Sequence, residues 1–154
     1  NMMAFDSPVT GIECTGDGWY IGTEKGAYFV QGTDPMQFKV IRLDYAGVVP
    51  GTMIRLERKY VVDKGQVVTC WLGTNGVFYQ GLSGGQVTPM AAGRFKAGQF
   101  SAGTTLTRQL RGSRSVVFTL WQDTSDPERG ITQVVPPLAP YEFSVNATLE
   151  DATG

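Results

Sequence analysis

Few residues in this chain are able to do chemistry, and their spacing decides what each could do. Asp123, Asp126 and Glu128 form the densest acidic group and would supply carboxylate oxygens to a hard cation such as calcium. They lack the alternating acids closed by a glycine that a calcium loop uses, and Asp126-Pro127 is an ordinary turn pair. Glycoside hydrolysis needs two carboxylates facing one cleft, whereas the acids here fall in turn-like segments with nothing to pair them. Gly16-Asp17-Gly18 and Ser83-Gly84-Gly85 are glycine-rich, but a phosphate loop opens a helix after a strand, and these read as hairpin turns. Cys14 and Cys70 are too few for a zinc cluster. Their places just before aromatic runs suit small buried hydrophobes, and their pairing stays open. Histidine is absent, which removes imidazole-activated nucleophiles and imidazole metal sites together. The expectation is a protein that is not an enzyme and carries no cofactor and no metal.

The cations form a different kind of signal. Residues 1–38 carry a formal charge of −4, residues 39–114 carry +8, and residues 115–154 carry −5. A basic middle between acidic ends suits either a polyanion surface or complementary faces that meet in an assembly. The cations are scattered between strand-like runs, which favours the second reading. Arg108, Arg111 and Arg114 are the densest basic group, in a segment that reads as a solvated loop or an interface. They are expected to meet Asp123, Asp126, Glu128 or Glu150 of a neighbouring copy, giving a homo-oligomer. The Arg and aromatic residues could also stack on single-stranded nucleic acid, but Trp71, Phe78, Tyr79 and Trp121 lie inside strand runs, where a core role is the default. Sequence-specific nucleic-acid binding is not expected; passage of DNA along a basic channel is the polyanion alternative.

The elements that must position these groups are strands. Of 154 residues 20 are Gly, about twice the usual share of roughly 7%, and the charged fraction of 18% lies below the usual ~25%. Short β-branched or aromatic runs recur: Trp19-Tyr20-Ile21, Ala27-Tyr28-Phe29-Val30, Phe38-Lys39-Val40-Ile41-Arg42-Leu43, Met53-Ile54-Arg55-Leu56, Tyr60-Val61-Val62, Val67-Val68-Thr69-Cys70-Trp71-Leu72, Val77-Phe78-Tyr79 and Val116-Val117-Phe118-Thr119-Leu120-Trp121. Turn signals such as Glu24-Lys25-Gly26, Asp63-Lys64-Gly65 and Asn75-Gly76 fall between them. This predicts an all-β fold of antiparallel sheets.

One hairpin is written twice. Tyr20-Ile21-Gly22-Thr23-Glu24-Lys25-Gly26-Ala27-Tyr28-Phe29 matches Trp71-Leu72-Gly73-Thr74-Asn75-Gly76-Val77-Phe78-Tyr79 with one turn residue deleted. Gly22 and Gly73 are expected to play equivalent backbone parts, and Gly26 and Gly76 to supply positive φ in the turns. A weaker third unit surrounds Val117-Phe118-Thr119-Leu120-Trp121. Units of about 50 residues with a central hairpin predict propeller-like blades, with a β-sandwich as the alternative. Three blades do not close a ring, which takes about four to eight, so neighbouring chains or a longer product would complete it. Asn1 leads to the further expectation that the chain begins inside a longer product.

Residues 1–122 are expected to form the repeat-containing β domain. Residues 123–154 would add a polar loop, a Pro-rich stretch and a last strand, the alternating run Tyr141, Phe143, Val145, Ala147, acting as an arm or an edge strand. No apolar run approaches the ~20 residues of a membrane helix, so no membrane partner is expected. Exposed aromatics such as Trp19 and Tyr141 suit a second functional class, a carbohydrate- or peptide-binding β module.

Gly47-Val48-Val49-Pro50-Gly51-Thr52, then Trp71-Leu72-Gly73-Thr74-Asn75-Gly76-Val77-Phe78-Tyr79, then Gly85-Gln86-Val87-Thr88-Pro89-Met90, give an order of elements that resembles a propeller segment of the tail hub, nozzle and packaged-DNA stabilisation proteins of short-tailed bacteriophages. Upstream, Gly11-Ile12, Tyr20-Ile21-Gly22-Thr23 and Tyr28-Phe29 fit a preceding blade, so the likeness spans residues 11–92. The resemblance implies a structural virion protein of the tail or head-to-tail connector, assembled in the host cytoplasm, ring-forming and in contact with other virion proteins. The motif is architectural, so it transfers no catalytic residue. Family members are much longer than this chain, and residues after Gly130 have no counterpart in the pattern.

Overall fold

A computed structural model describes the backbone of residues 4–56, 67–91, 102–110, 113–123, 134–135 and 141–144. The described residues form antiparallel β-sheets with almost no helix. The first sheet is a meander of β1 (Val9–Cys14), β2 (Gly18–Thr23), β3 (Ala27–Gln31) and β4 (Lys39–Leu43) in sequence order. The second repeats that order with β5 (Ile54–Leu56), β6 (Val68–Leu72), β7 (Phe78–Gly81) and β8 (Val87–Ala91). A third sheet is built on the long hairpin β9 (Ala102–Leu110) and β10 (Ser113–Asp123). The short β11 (Val134–Val135) and β12 (Tyr141–Ser144) both pair with β10. The last strand thus joins a sheet of its own chain.

The pleat decides what each sheet buries, because residues two apart share a face. In the first sheet Tyr20 pairs with Phe29 and Phe29 with Ile41; in the second Trp71 pairs with Tyr79. These rows face each other. Tyr20, Phe29, Trp71 and Tyr79, with Ala27, Leu43 and Val48, form one buried cluster. Ring centroids lie 5.0 Å apart for Tyr20 and Phe29, 5.3 Å for Tyr20 and Trp71, and 5.8 Å for Trp71 and Tyr79. A ring the size of Phe29 contributes roughly 1.5–3 kcal/mol on burial, so this quartet is the main adhesive between the sheets. Tyr20 also donates its hydroxyl hydrogen toward the Leu82 and Gln86 carbonyls of the second sheet's last turn. That partner makes the buried phenol affordable.

Tyr20 and Trp71 hold equivalent positions in the repeat, as do Phe29 and Tyr79. The two sheets therefore meet through matching faces. Successive propeller blades are related by rotation about a common axis, which sets one face of a blade against the opposite face of the next. The expected blade relation is not shown, and no sheet closes on itself.

The duplicated turns differ for the same local reason that one residue is missing. In the first hairpin Thr23 N–H donates to Gly26 O at 2.8 Å, leaving the two-residue loop Glu24-Lys25. Gly26 is the paired residue after that loop and does not take positive φ; its N–H is instead received by the Thr23 hydroxyl at 3.0 Å. In the second hairpin Gly73 N–H donates to Val77 O at 2.8 Å and Gly76 N–H to Gly73 O at 2.9 Å, with Gly76 at φ 79°. That is a three-residue loop, a turn followed by a left-handed residue that re-enters the ladder as a bulge. Only the second copy needs its turn glycine.

Candidate functional site

The motif residues 47–52 run between the sheets as a strap. Val48 N–H donates to Thr23 O of the first hairpin at 2.8 Å. Val49 N–H donates to Leu72 O of the second at 2.9 Å, and Thr74 N–H returns to Gly47 O at 2.8 Å. Val48 forms an isolated antiparallel bridge with Gly73, while a Cβ on Gly22 would stand 2.6 Å from the Val48 Cβ. Gly22 and Gly73 thus flank one valine, the first beneath its side chain and the second beside its backbone. The strap then turns: Thr52 N–H reaches Val49 O at 3.2 Å, with Pro50 second and Gly51, φ 80°, third, the type II order. Thr52 Oγ1 donates to Val49 O at 2.7 Å and receives Leu72 N–H at 3.2 Å. Beyond the turn, Gly103 N–H donates to Pro50 O and Thr105 Oγ1 to Thr52 O, both at 2.8 Å. One six-residue segment holds three sheets.

The outer face of the first sheet is the second notable surface. Its row Ile21, Tyr28 and Val30 is buried under Phe5 and Phe38, but Ile12, Trp19 and Val40 on the same face are 59%, 40% and 44% exposed. In the second sheet the face opposite the Trp71–Tyr79 row, carrying Val68, Cys70, Leu72 and Phe78, is buried. At the border of the outer face the Asp6 carboxylate lies 3.1 Å from the Arg42 guanidinium. Hydrogen bonding from the Tyr28 hydroxyl and the Arg42 charge hold Asp6 below the ordinary carboxylate range, while burial raises Tyr28.

Two loops at one end of this sheet enclose a depression of about 340 Å³, lined by residues 15–19 and by Gly32, Thr33, Pro35 and Phe38. Both loops are tied down. Thr15 N–H donates to Gly18 O at 2.8 Å, and the Asp17 carboxylate receives Gly84 N–H at 2.9 Å and 3.1 Å and the Thr15 hydroxyl at 3.3 Å. Asp34 receives Met36 N–H at 2.9 Å, which fixes the second loop. The Phe38 ring stands edge-on to Trp19 with centroids 5.3 Å apart and planes at 68°. The depression therefore has an aromatic wall, one carboxylate and hydroxyl or backbone groups around it.

The predicted charged interface is only partly within view. Arg108 lies in β9 opposite Ser115, and Arg114 in β10 opposite Gln109, so the described part of the segment read as a loop is strand, with Leu110 paired to Ser113. The two positions occupy successive rungs, which alternate between the faces of a pleated sheet. Asp123 ends β10 opposite Val134. Arg111, Asp126, Glu128 and Glu150 lie outside the described residues, as does the run Tyr60-Val61-Val62. Tyr141 opens β12 opposite Phe118. Cys14 and Cys70 are both free thiols; the Arg55 guanidinium donates to Cys14 Sγ at 2.9 Å, and burial pushes the Cys70 thiol up. Burial likewise raises Glu13, against the pull of Arg55.

Among the described residues no three of His, Cys, Asp and Glu come together as a metal site, and no helix is long and apolar enough to cross a membrane. No protein-family model, no curated protein and no solved structure matches the chain.

Proposed function

We propose that the chain is a structural component of a bacteriophage virion, in the tail or head-to-tail connector, that works through oligomeric assembly. The observation that carries this reading is the strap: a short motif that spends its hydrogen bonds on three sheets builds a stiff framework rather than a mobile cleft. The same motif is the centre of the resemblance. On the finer fold, contact through matching faces supports a β-sandwich for the first two sheets, with any ring formed between chains. The uncovered outer face supplies an apolar surface for a neighbouring copy, and the alternation of −4, +8 and −5 along the chain supplies complementary charge. DNA passing a basic channel belongs to the same proposal if the arginines of residues 108–114 face inward.

Light scattering of the purified chain across a salt series tests it. The expected result is a discrete oligomer that weakens as salt rises, because exposed charges beyond about 8–10 Å are screened at physiological ionic strength. Ile12→Lys, on the exposed outer face, should shift the population toward monomer with the circular dichroism unchanged. A wild-type chain that is monomeric at every salt and protein concentration removes the proposal.

A further inference from the structure

We infer that the depression between residues 15–19 and 32–38 is a binding site for a neutral pyranose sugar. It needs no second copy of the chain, although it shares Trp19 with the outer face that the assembly reading uses. The volume of about 340 Å³ falls at the lower end of the roughly 300–1,000 Å³ that small-molecule sites occupy. A pyranose presents C–H groups on its ring faces and hydroxyls around its rim, so it calls for an aromatic surface flanked by polar acceptors and donors. Trp19 supplies the surface: it remains 40% exposed although Phe38 braces it edge-on. That brace fixes the ring before any ligand arrives, which lowers the ordering cost of binding.

The polar rim is equally fixed. The Asp17 carboxylate, held by Gly84 N–H and by the Thr15 hydroxyl, pins the 15–18 turn that forms one wall. Thr33 adds a hydroxyl from the facing loop, and Gly16 and Gly32 add backbone groups. No Lys or Arg lines the depression, which leaves nothing to neutralise a phosphate or an acidic sugar. Closure of the wall depends on the loop geometry: Gly32, at φ 121°, turns the chain so that Phe38 lies against it.

The test titrates glucose, galactose, N-acetylglucosamine and their β1,4-linked trimers into the full chain, followed by amide chemical shifts and tryptophan fluorescence. At least one of these sugars should shift the resonances of residues 15–19 and 32–38. Trp19→Ala should weaken it by about tenfold, equivalent to about 1.4 kcal/mol. Trp19→Tyr should restore part of the loss, and Thr33→Val, which removes only a hydroxyl, should weaken binding by a few fold while leaving the spectrum of the fold intact. Three outcomes overturn the site: no shift at tens of millimolar for any of these sugars, shifts that map elsewhere, or Trp19→Ala and Thr33→Val variants that bind like the wild type. Preferential binding of choline would also overturn it, since that marks the aromatic corner and Asp17 as a cation cage. The oligomeric state of the same samples reads out the assembly proposal, and Thr33→Val, which lies off the shared outer face, separates the two.

Discussion

Gly51 and Gly103 meet backbone to backbone: a Cβ on Gly51 would run into the Gly103 carbonyl oxygen. The contact joins the strap's turn to β9, next to the bond from Gly103 N–H to Pro50 O. Gly51 also holds φ 80°, so Gly51→Ala adds a left-handed alanine to a steric collision. The expected loss is about 2–3 kcal/mol in urea unfolding, with amides of Gly103 and Thr105 losing exchange protection first.

The two copies of the hairpin should respond unequally to the same substitution. Gly76→Val places a β-branched residue at φ 79° and should cost more than about 1 kcal/mol. Gly26→Val, whose Cβ meets only the Thr23 hydroxyl 4.0 Å away at a position without positive φ, should cost less than half as much. Equal losses in paired thermal melts would mean that the two loops are not of different types.

Buried polarity gives a change of the opposite sign. The Thr69 side chain is fully buried and its Oγ1 has no hydrogen-bond partner. An unpaired buried hydroxyl costs about 1–3 kcal/mol, and valine keeps the shape. Thr69→Val should raise the urea midpoint by the equivalent of about 1 kcal/mol, and a loss of stability would show that the hydroxyl is satisfied.

Alkaline pH should destabilise the fold in two stages. Burial raises the Cys70 thiol above its ordinary 9.0 and the Tyr20 hydroxyl above its ordinary 10.0. Both stay protonated in the folded chain while the unfolded chain releases the proton. Their contribution is therefore complete below about pH 9 and is lost as pH rises. Each group adds a slope of about 1.4 kcal/mol per pH unit once its unfolded form is ionised. Urea midpoints between pH 8 and 11 should fall from about pH 9 in the wild type, and only from about pH 10 in Cys70→Val.

Assembly should depend on charge as a set. Replacing Arg108, Arg111 and Arg114 together by Ser should weaken association at low salt and leave folding nearly unchanged, since single exposed pairs are worth only about 0.2–1 kcal/mol. Sedimentation velocity at two salt concentrations checks it; unaltered assembly at both would exclude these arginines from the contact.

Sheet-forming segments were legible wherever apolar and aromatic residues cluster, as in Trp19-Tyr20-Ile21 and Val68-Thr69-Cys70-Trp71-Leu72, and wherever a glycine turn follows. β1 and β9 were not, because Gly11, Glu13, Thr104, Thr105 and Arg108 dilute the pattern and edge strands tolerate such residues. The repeat was visible as letters, but which faces meet depends on packing between Tyr20 and Trp71, 51 positions apart. Trp19 could be singled out as an aromatic available to a ligand. Its partners Asp17, Thr33 and Phe38 could not, since they come from two loops that only the β2–β3 pairing brings together.

The meeting of matching faces has a consequence for symmetry. A surface that accepts its own repeat is isologous in character, the property that lets two identical subunits pair about a two-fold axis. Here the two partners share one backbone, so an encounter that would depend on protein concentration becomes intramolecular, at an effective concentration of about millimolar or above for a short connection. The Tyr20–Phe29 sheet cut free of its successor would present a naked half of that contact, and the complement nearest in shape would be another copy of itself. Joined in tandem, the pair keeps the self-complementary surface inside and leaves the remaining face free for a different use.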